Sequence, residues 1–142
     1  MTAYPVADGC VFCAIVTGRI PSFRLWEDAD TIAFMDINPA NPGHALAVAK
    51  GHWPTIHALP STVLAAVAAT AQRVARAQQV VLAPGGINLI QANGPGAAQS
   101  VPHFHIHILP RAVDDGLSLN WTPRPGDREA VAALHARLLA AM

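Results

Sequence analysis

The run His103-Phe104-His105-Ile106-His107-Ile108 packs three of the chain's seven histidines into five residues, in alternation with apolar side chains. On a β-strand successive side chains point to opposite faces, so as a strand this run gathers three imidazoles on one face and Phe104, Ile106 and Ile108 on the other. At about 3.3 Å per residue, neighbouring imidazoles then stand roughly 6 to 7 Å apart, the span of one phosphate group. Imidazole is mostly unprotonated near neutral pH, with a reference pKa of about 6.5, and can attack, carry protons or bind a metal without further activation.

Around this strand the chain punctuates itself clearly. Arg24 to Glu27 and Thr31 to Asp36 read as a hairpin joined at Asp28-Ala29-Asp30, and His44 to Ala49 reads as a third strand after the loop Asn38-Pro39-Ala40-Asn41-Pro42-Gly43. Ser61 is a candidate N-cap for a long helix whose Val63, Leu64, Val67, Ala71, Val74, Val81 and Leu82 recur at helical spacing up to Pro84-Gly85-Gly86. Ile87 to Ala92 forms a further strand. The loop from Asn93 to Ser100 leads into the histidine strand, which Pro102 starts at His103 because proline cannot donate to a ladder. Asp127 can cap a last helix with the apolar stripe Val131, Leu134 and Leu138. Strands, a helix, more strands and a terminal helix give an α+β antiparallel sheet of about five strands, expected as one domain over 1–142.

Composition narrows the function. The formal net charge is zero and the nine basic residues are scattered, so no nucleic-acid footprint is readable. No apolar run approaches the roughly 20 residues that cross a bilayer. The stretch Met1 to Asp8 has neither a basic region nor an apolar core, so no secretory signal is expected and a cytoplasmic location is. His57 and His135 are expected on the surface.

The match to His-x-His-x-His-apolar is complete at 103–108. Pro110-Arg111, Asp36-Ile37-Asn38, Gly43-His44-Ala45-Leu46, Lys50-Gly51-His52 and Gly18-Arg19-Ile20-Pro21 accompany it in order. In these segments the chain resembles the histidine triad (HIT) family of nucleotide hydrolases and transferases along most of its length. Ala49 departs from the family's common proline. The resemblance implies a homodimer joined sheet edge to sheet edge and a purine nucleotide conjugate as substrate. It implies that His105 attacks the α-phosphorus to form a nucleotidyl-histidine that water then hydrolyses, splitting one displacement into two. His107 and His44 flank the phosphate. Asp36 takes the ribose hydroxyls, Phe12, Ile15, Ile20 and Ile37 wall the base, and Asn93, Gln99 and Ser100 supply further donors. A histidine at the third position of the motif, where the transferase branch carries glutamine, points to hydrolysis.

Cys10-Val11-Phe12-Cys13 offers two thiols, half of what a tetrahedral structural zinc requires. In members of the family with this N-terminal pair, the histidine after the lysine and the first triad histidine complete the set, which implies Cys10, Cys13, His52 and His103 here. A transient disulfide and two idle thiols remain alternatives for the pair. For the whole chain, two other readings stand beside hydrolysis through His105: a non-catalytic nucleotide-binding module, and a metal-dependent hydrolase holding its ion on His103, His105 and His107.

Overall fold

A computed structural model describes residues 4–142. Met1, Thr2 and Ala3, part of the stretch read as lacking a secretory signal, lie outside the described residues. The elements follow in the order α1 (Val11–Val16), β1 (Arg24–Glu27), β2 (Thr31–Met35), β3 (Ala45–Ala49), α2 (Ser61–Leu82), β4 (Gly86–Ile90), β5 (His105–Arg111) and α3 (Arg128–Ala141). The strands form one sheet in the order β1-β2-β3-β5-β4, with every neighbouring pair antiparallel. The α+β architecture expected from the sequence is the one observed.

The alternation of β2, β3 and β5 divides the core in two. Ala33, Ala45, Ala47, Ala49, Ile106 and Ile108 face α2 and pack on its buried Val63, Val67, Ala71 and Val74. Three alanines on the central strand let the helix approach closely, and a hydroxyl pair, Thr31 to Thr70 at 2.7 Å, closes the same interface. On the other face Ile32, Phe34, Leu46 and Val48 meet Phe12 and Ile15 of α1. In the β3–β5 register Val48 lies opposite His105 and Leu46 opposite His107, so both histidines emerge on the α1 face. The fully buried β3 thus holds a dry floor beneath them.

Several boundaries differ from the sequence reading. The cap of α2 is Pro60 with no side-chain bond, Ser61 being the first helical residue, because proline's fixed φ already suits a helix entry. Val81 and Leu82 leave the apolar stripe and stand exposed on the last turn. β4 runs one residue earlier and stops at Ile90, where Gln91 and Asn93 turn to hydrogen-bond each other. The last helix forms on its Asp127 cap, but none of its residues is buried, so Val131, Leu134 and Leu138 cover no core of this chain.

Candidate active site and metal centre

β5 begins at His105, two residues later than expected. The His103 amide donates to the Val101 carbonyl at 2.8 Å and the Phe104 amide to the Trp53 carbonyl at 2.7 Å, which bends the backbone ahead of the ladder. The alternation nevertheless holds: Phe104 packs with Ile106 and Ile108 on the α2 side, while Phe12 of α1 stands edge-on to both His103 and His105, with centroids 5.7 Å and 5.0 Å apart. His103 is fully buried, its Nε2–H donating to the Ala49 carbonyl at 2.7 Å. Its bare Nδ1 lies 3.4 Å from Cys10 Sγ, 3.7 Å from Cys13 Sγ and 3.3 Å from His52 Nδ1. An ion on His103, His105 and His107 together is incompatible with this arrangement.

What the four residues around His103 share is a donor set. Cys10 caps the short helix α1, Cys13 sits in its first turn, His52 follows β3, and His103 precedes β5. Cys13 Sγ is 3.5 Å from His52 Nδ1. A tetrahedral zinc with bonds of about 2.3 Å to sulfur and 2.0 to 2.1 Å to nitrogen has edges of about 3.3 to 3.8 Å, the range these distances occupy. Cys10, Cys13, His52 and His103 are thus a set that could hold a metal ion. Burial, chiefly, lowers the His103 pKa to about 4 and keeps the imidazole neutral, as a ligand must be. Burial likewise raises the Cys13 thiol, so ligation there releases a proton.

His105, His107 and His44 make the second cluster, and backbone groups fix their protons. The Ala40 amide donates to His44 Nδ1 at 3.1 Å, which leaves the His44 proton on Nε2, 2.9 Å from His107 Nδ1. His107 then accepts at Nδ1 and carries its proton on Nε2, 3.2 Å from His105 Nε2. His105 in turn donates its Nδ1 proton to the His103 carbonyl at 2.7 Å. Each ring thus has one proton and the chain of bonds has one direction. It ends on the bare Nε2 of His105, the atom a nucleophile needs. Burial first, and for His107 also the neighbouring His105 and His44, lowers all three pKa values, that of His107 to about 4.

A cavity of about 430 Å³ opens in front of these rings. Phe12, Ile15, Ile20, Ile37, Asp36, Ser100, His105 and His107 line it, joined by Val11, Phe34, Leu46 and Val101. Phe12 stands edge-on to His105 with centroids 5.0 Å apart, and Ile37 is 75% exposed at the rim. Asp36 accepts from the Asn38 amide at 2.8 Å through Oδ1, while Oδ2 lies 3.7 Å from His44 Nε2. Asn93 and Gln99 are not brought to the cavity. The Asn93 carboxamide oxygen accepts from the Ile56 amide at 2.7 Å, and the Gln99 oxygen accepts from the Gly94 amide at 2.8 Å, so both side chains brace the loop that delivers Ser100.

Asp36, His44 and His107 are close enough to suggest a second metal site. The Ala40 amide argues against one. A metal on His44 Nε2 would leave both ring nitrogens without a proton, an imidazolate, while Nδ1 still accepted from Ala40. The sequence reading missed Ala40, Asn41 and Asp115 around His44 and the helix α1 beneath the cavity. Six residues show too little periodicity to announce a helix.

Comparison with known proteins agrees with this geometry. The HIT domain profile matches residues 17–114. The chain is 36% identical over 132 residues to the adenosine 5′-monophosphoramidase HNT1 of Saccharomyces cerevisiae, covering 92% of this chain and 81% of that protein. The crystal structure of a HIT family protein from Bacillus anthracis superposes with a TM-score of 0.89 at 30% identity, covering 96% of this chain and 99% of the other. A zinc-bound histidine triad family protein from Mycobacterium smegmatis superposes with a TM-score of 0.73 at 37% identity, covering 94% and 98%. With its histidine run, its nucleotide-sized cavity and these likenesses in agreement, the chain belongs to the HIT family.

Proposed function

We propose that this chain is a HIT-type nucleotide hydrolase that cleaves the α-phosphate bond of purine nucleoside phosphoramidates and related nucleotidyl conjugates, releasing AMP or GMP. The observation that carries this reading is the bare Nε2 of His105, directed by the Nδ1–H bond to the His103 carbonyl toward a cavity of nucleotide size. Names borne by the relatives, an adenosine 5′-monophosphoramidase among them, point the same way.

On this reading the base lies against Phe12, Ile15, Ile20 and Ile37, and Asp36 accepts from the ribose diol, as a carboxylate with two oxygens can. His105 Nε2 bonds to the α-phosphorus as the bond to the leaving nitrogen breaks. The leaving nitrogen departs as an amine with a proton taken up from solvent, while His107 Nε2–H, supported from behind by His44 Nε2–H, donates to a phosphoryl oxygen. Bonding to phosphorus places a positive charge on the His105 ring, whose Nδ1–H stays on the His103 carbonyl. Water then attacks the same phosphorus, the His105–phosphorus bond breaks, and a proton of the water returns to solvent. The nucleotide leaves with the rings as they began. On the same reading Ser100, which lines the cavity, donates to a phosphoryl oxygen.

Cys10, Cys13, His52 and His103 would hold zinc in a structural role, with all four positions taken by protein and none left for substrate. We assign the chain to a single domain over 1–142, acting as a homodimer in the cytoplasm. Two free cysteines in a metal-type donor set suit a reducing compartment. No helix of the described residues is long and apolar enough to cross a membrane. The test is AMP release from adenosine 5′-phosphoramidate by wild-type protein and His105→Ala, with and without brief chelation. Turnover by the wild type alone, indifferent to chelation, is expected. Activity of His105→Ala above about one per cent of wild type would remove the nucleophile from the account.

A further inference from the structure

Outside the cavity one polar cluster has no part in the chemistry described above. Arg111, the last residue of β5, grips Asp115 through Nε at 2.6 Å and one terminal nitrogen at 3.0 Å, and its other terminal nitrogen reaches Asn88 on β4 at 2.8 Å. Asp115 also accepts from the Asn41 carboxamide at 2.9 Å, and that carboxamide donates to the Pro110 carbonyl at the same distance. Asn41 belongs to the loop between Asp36 and His44. Its carbonyl accepts the His44 amide at 3.1 Å. One residue earlier in that loop is Ala40, whose amide meets His44 Nδ1.

From this continuity we infer that Asn41, Asp115 and Arg111 are positioning residues that set the tautomer of His44 and so the direction of the hydrogen-bond chain ending at His105. The inference rests on the hydrolase reading for its kinetic consequence and on geometry alone for its structural one. A backbone amide can only donate, so an Ala40 amide held at 3.1 Å requires a bare His44 Nδ1. Asn41 fixes that amide from the next residue, bonded on one side to the β5 backbone and on the other to a carboxylate anchored by a bidentate guanidinium. If the loop slackens, His44 is free to carry its proton on Nδ1. Its Nε2 then becomes an acceptor facing His107 Nδ1, and the Nε2 proton of His107 is no longer the only one the chain permits. His105 keeps its own bond to the His103 carbonyl throughout, so the nucleophile stays in place while its neighbour loses its orientation.

The deciding measurement is the nitrogen-15 spectrum of histidine-labelled protein, which distinguishes protonated from bare ring nitrogens. Wild type is expected to show His44 bare at Nδ1 and protonated at Nε2. Asn41→Ala, and Asp115→Asn as the near-isosteric alternative, are expected to raise a population protonated at Nδ1. In the same variants kcat for adenosine 5′-phosphoramidate is expected to fall about tenfold, with KM changed less than twofold. A general loss of structure would instead move KM and leave the wild-type tautomer in the molecules that remain folded. A wild-type His44 protonated at Nδ1, a tautomer unmoved in both variants, or a moved tautomer with wild-type kcat would each overturn the inference. Failure of the wild type to turn over the phosphoramidate would defeat the hydrolase reading instead, and the tautomer comparison would then decide the inference by itself.

Discussion

Four backbone groups govern the chemistry of single residues here. Ala40 supplies an amide and His103 a carbonyl to the catalytic rings, while the Ala49 carbonyl takes the Nε2 proton of His103 and the Trp53 carbonyl the Phe104 amide. The histidine motif announced which side chains matter, because three imidazoles in alternation have few other uses. It also announced their common face, but not where the ladder begins, because Pro102 marks that start only to within a few residues. Nor could it show that Asn93 and Gln99 would turn their side chains into loop bracing, because an amide reads the same whether it meets a ligand or a carbonyl. A pH effect belongs to this scale. His107 is ordinarily protonated near pH 6.5 in an unfolded chain, whereas burial and its two neighbouring histidines hold it to about 4 in the fold. The unfolded state therefore binds the extra proton between those values, so the stability from a neutral His107 is full above about pH 6.5 and is lost as pH falls toward 4. Thermal midpoints measured from pH 7.5 to 4.5 are expected to fall more steeply for wild type than for His107→Gln. Equal slopes would contradict the burial account.

Among the elements, α1 stands out because six residues are far too few to hold a helix in water on propensity alone. It persists by packing Phe12 and Ile15 on Phe34, Leu46 and Val48, and by the donor set that begins at its cap, Cys10. The same helix walls the cavity, so the candidate metal ligands and the cavity meet on it. Cys10→Ser is accordingly expected to lose bound zinc and to cost about 3 kcal/mol or more, a drop of roughly 10 °C in thermal midpoint. Metal analysis with calorimetry checks this, and an unchanged midpoint in a protein that never held zinc would refute the structural role. The long helix and the strands around it were legible because their periodicities run for many residues. The glycine ahead of β3 was legible only as loop composition. The structure gives its reason: Gly43 has φ +88°, and a Cβ there would lie 2.4 Å from Leu82.

For the whole molecule the open question is what covers its apolar exterior. β4 is an edge strand with Leu89 55% exposed, and the adjoining last turn of α2 presents Val80 and Val81, 84% and 78% exposed. An unpaired edge flanked by apolar side chains is a template for another strand, which favours the edge-to-edge homodimer proposed above. Leu89→Lys is expected to shift light-scattering mass from dimer to monomer while leaving the fold intact. A wild-type monomer would contradict that assembly. The resemblance read from the sequence carried the fold class and the family, because its segments are spread along most of the chain. It carried nothing about α3, whose stripe stays uncovered in the monomer.

The account turns on one bond, that between His105 Nε2 and the nucleotide phosphorus. Quenching in alkaline denaturant during turnover of adenosine 5′-phosphoramidate, followed by mass spectrometry at alkaline pH of the peptide spanning 103–111, looks for that bond directly, since a phosphorus–imidazole bond survives base and is lost in acid. A nucleotidyl group on His105 in wild type, absent from His105→Ala, is the predicted result. Steady turnover with no adduct at any quench time, or an adduct on His107 or His44 instead, would contradict it.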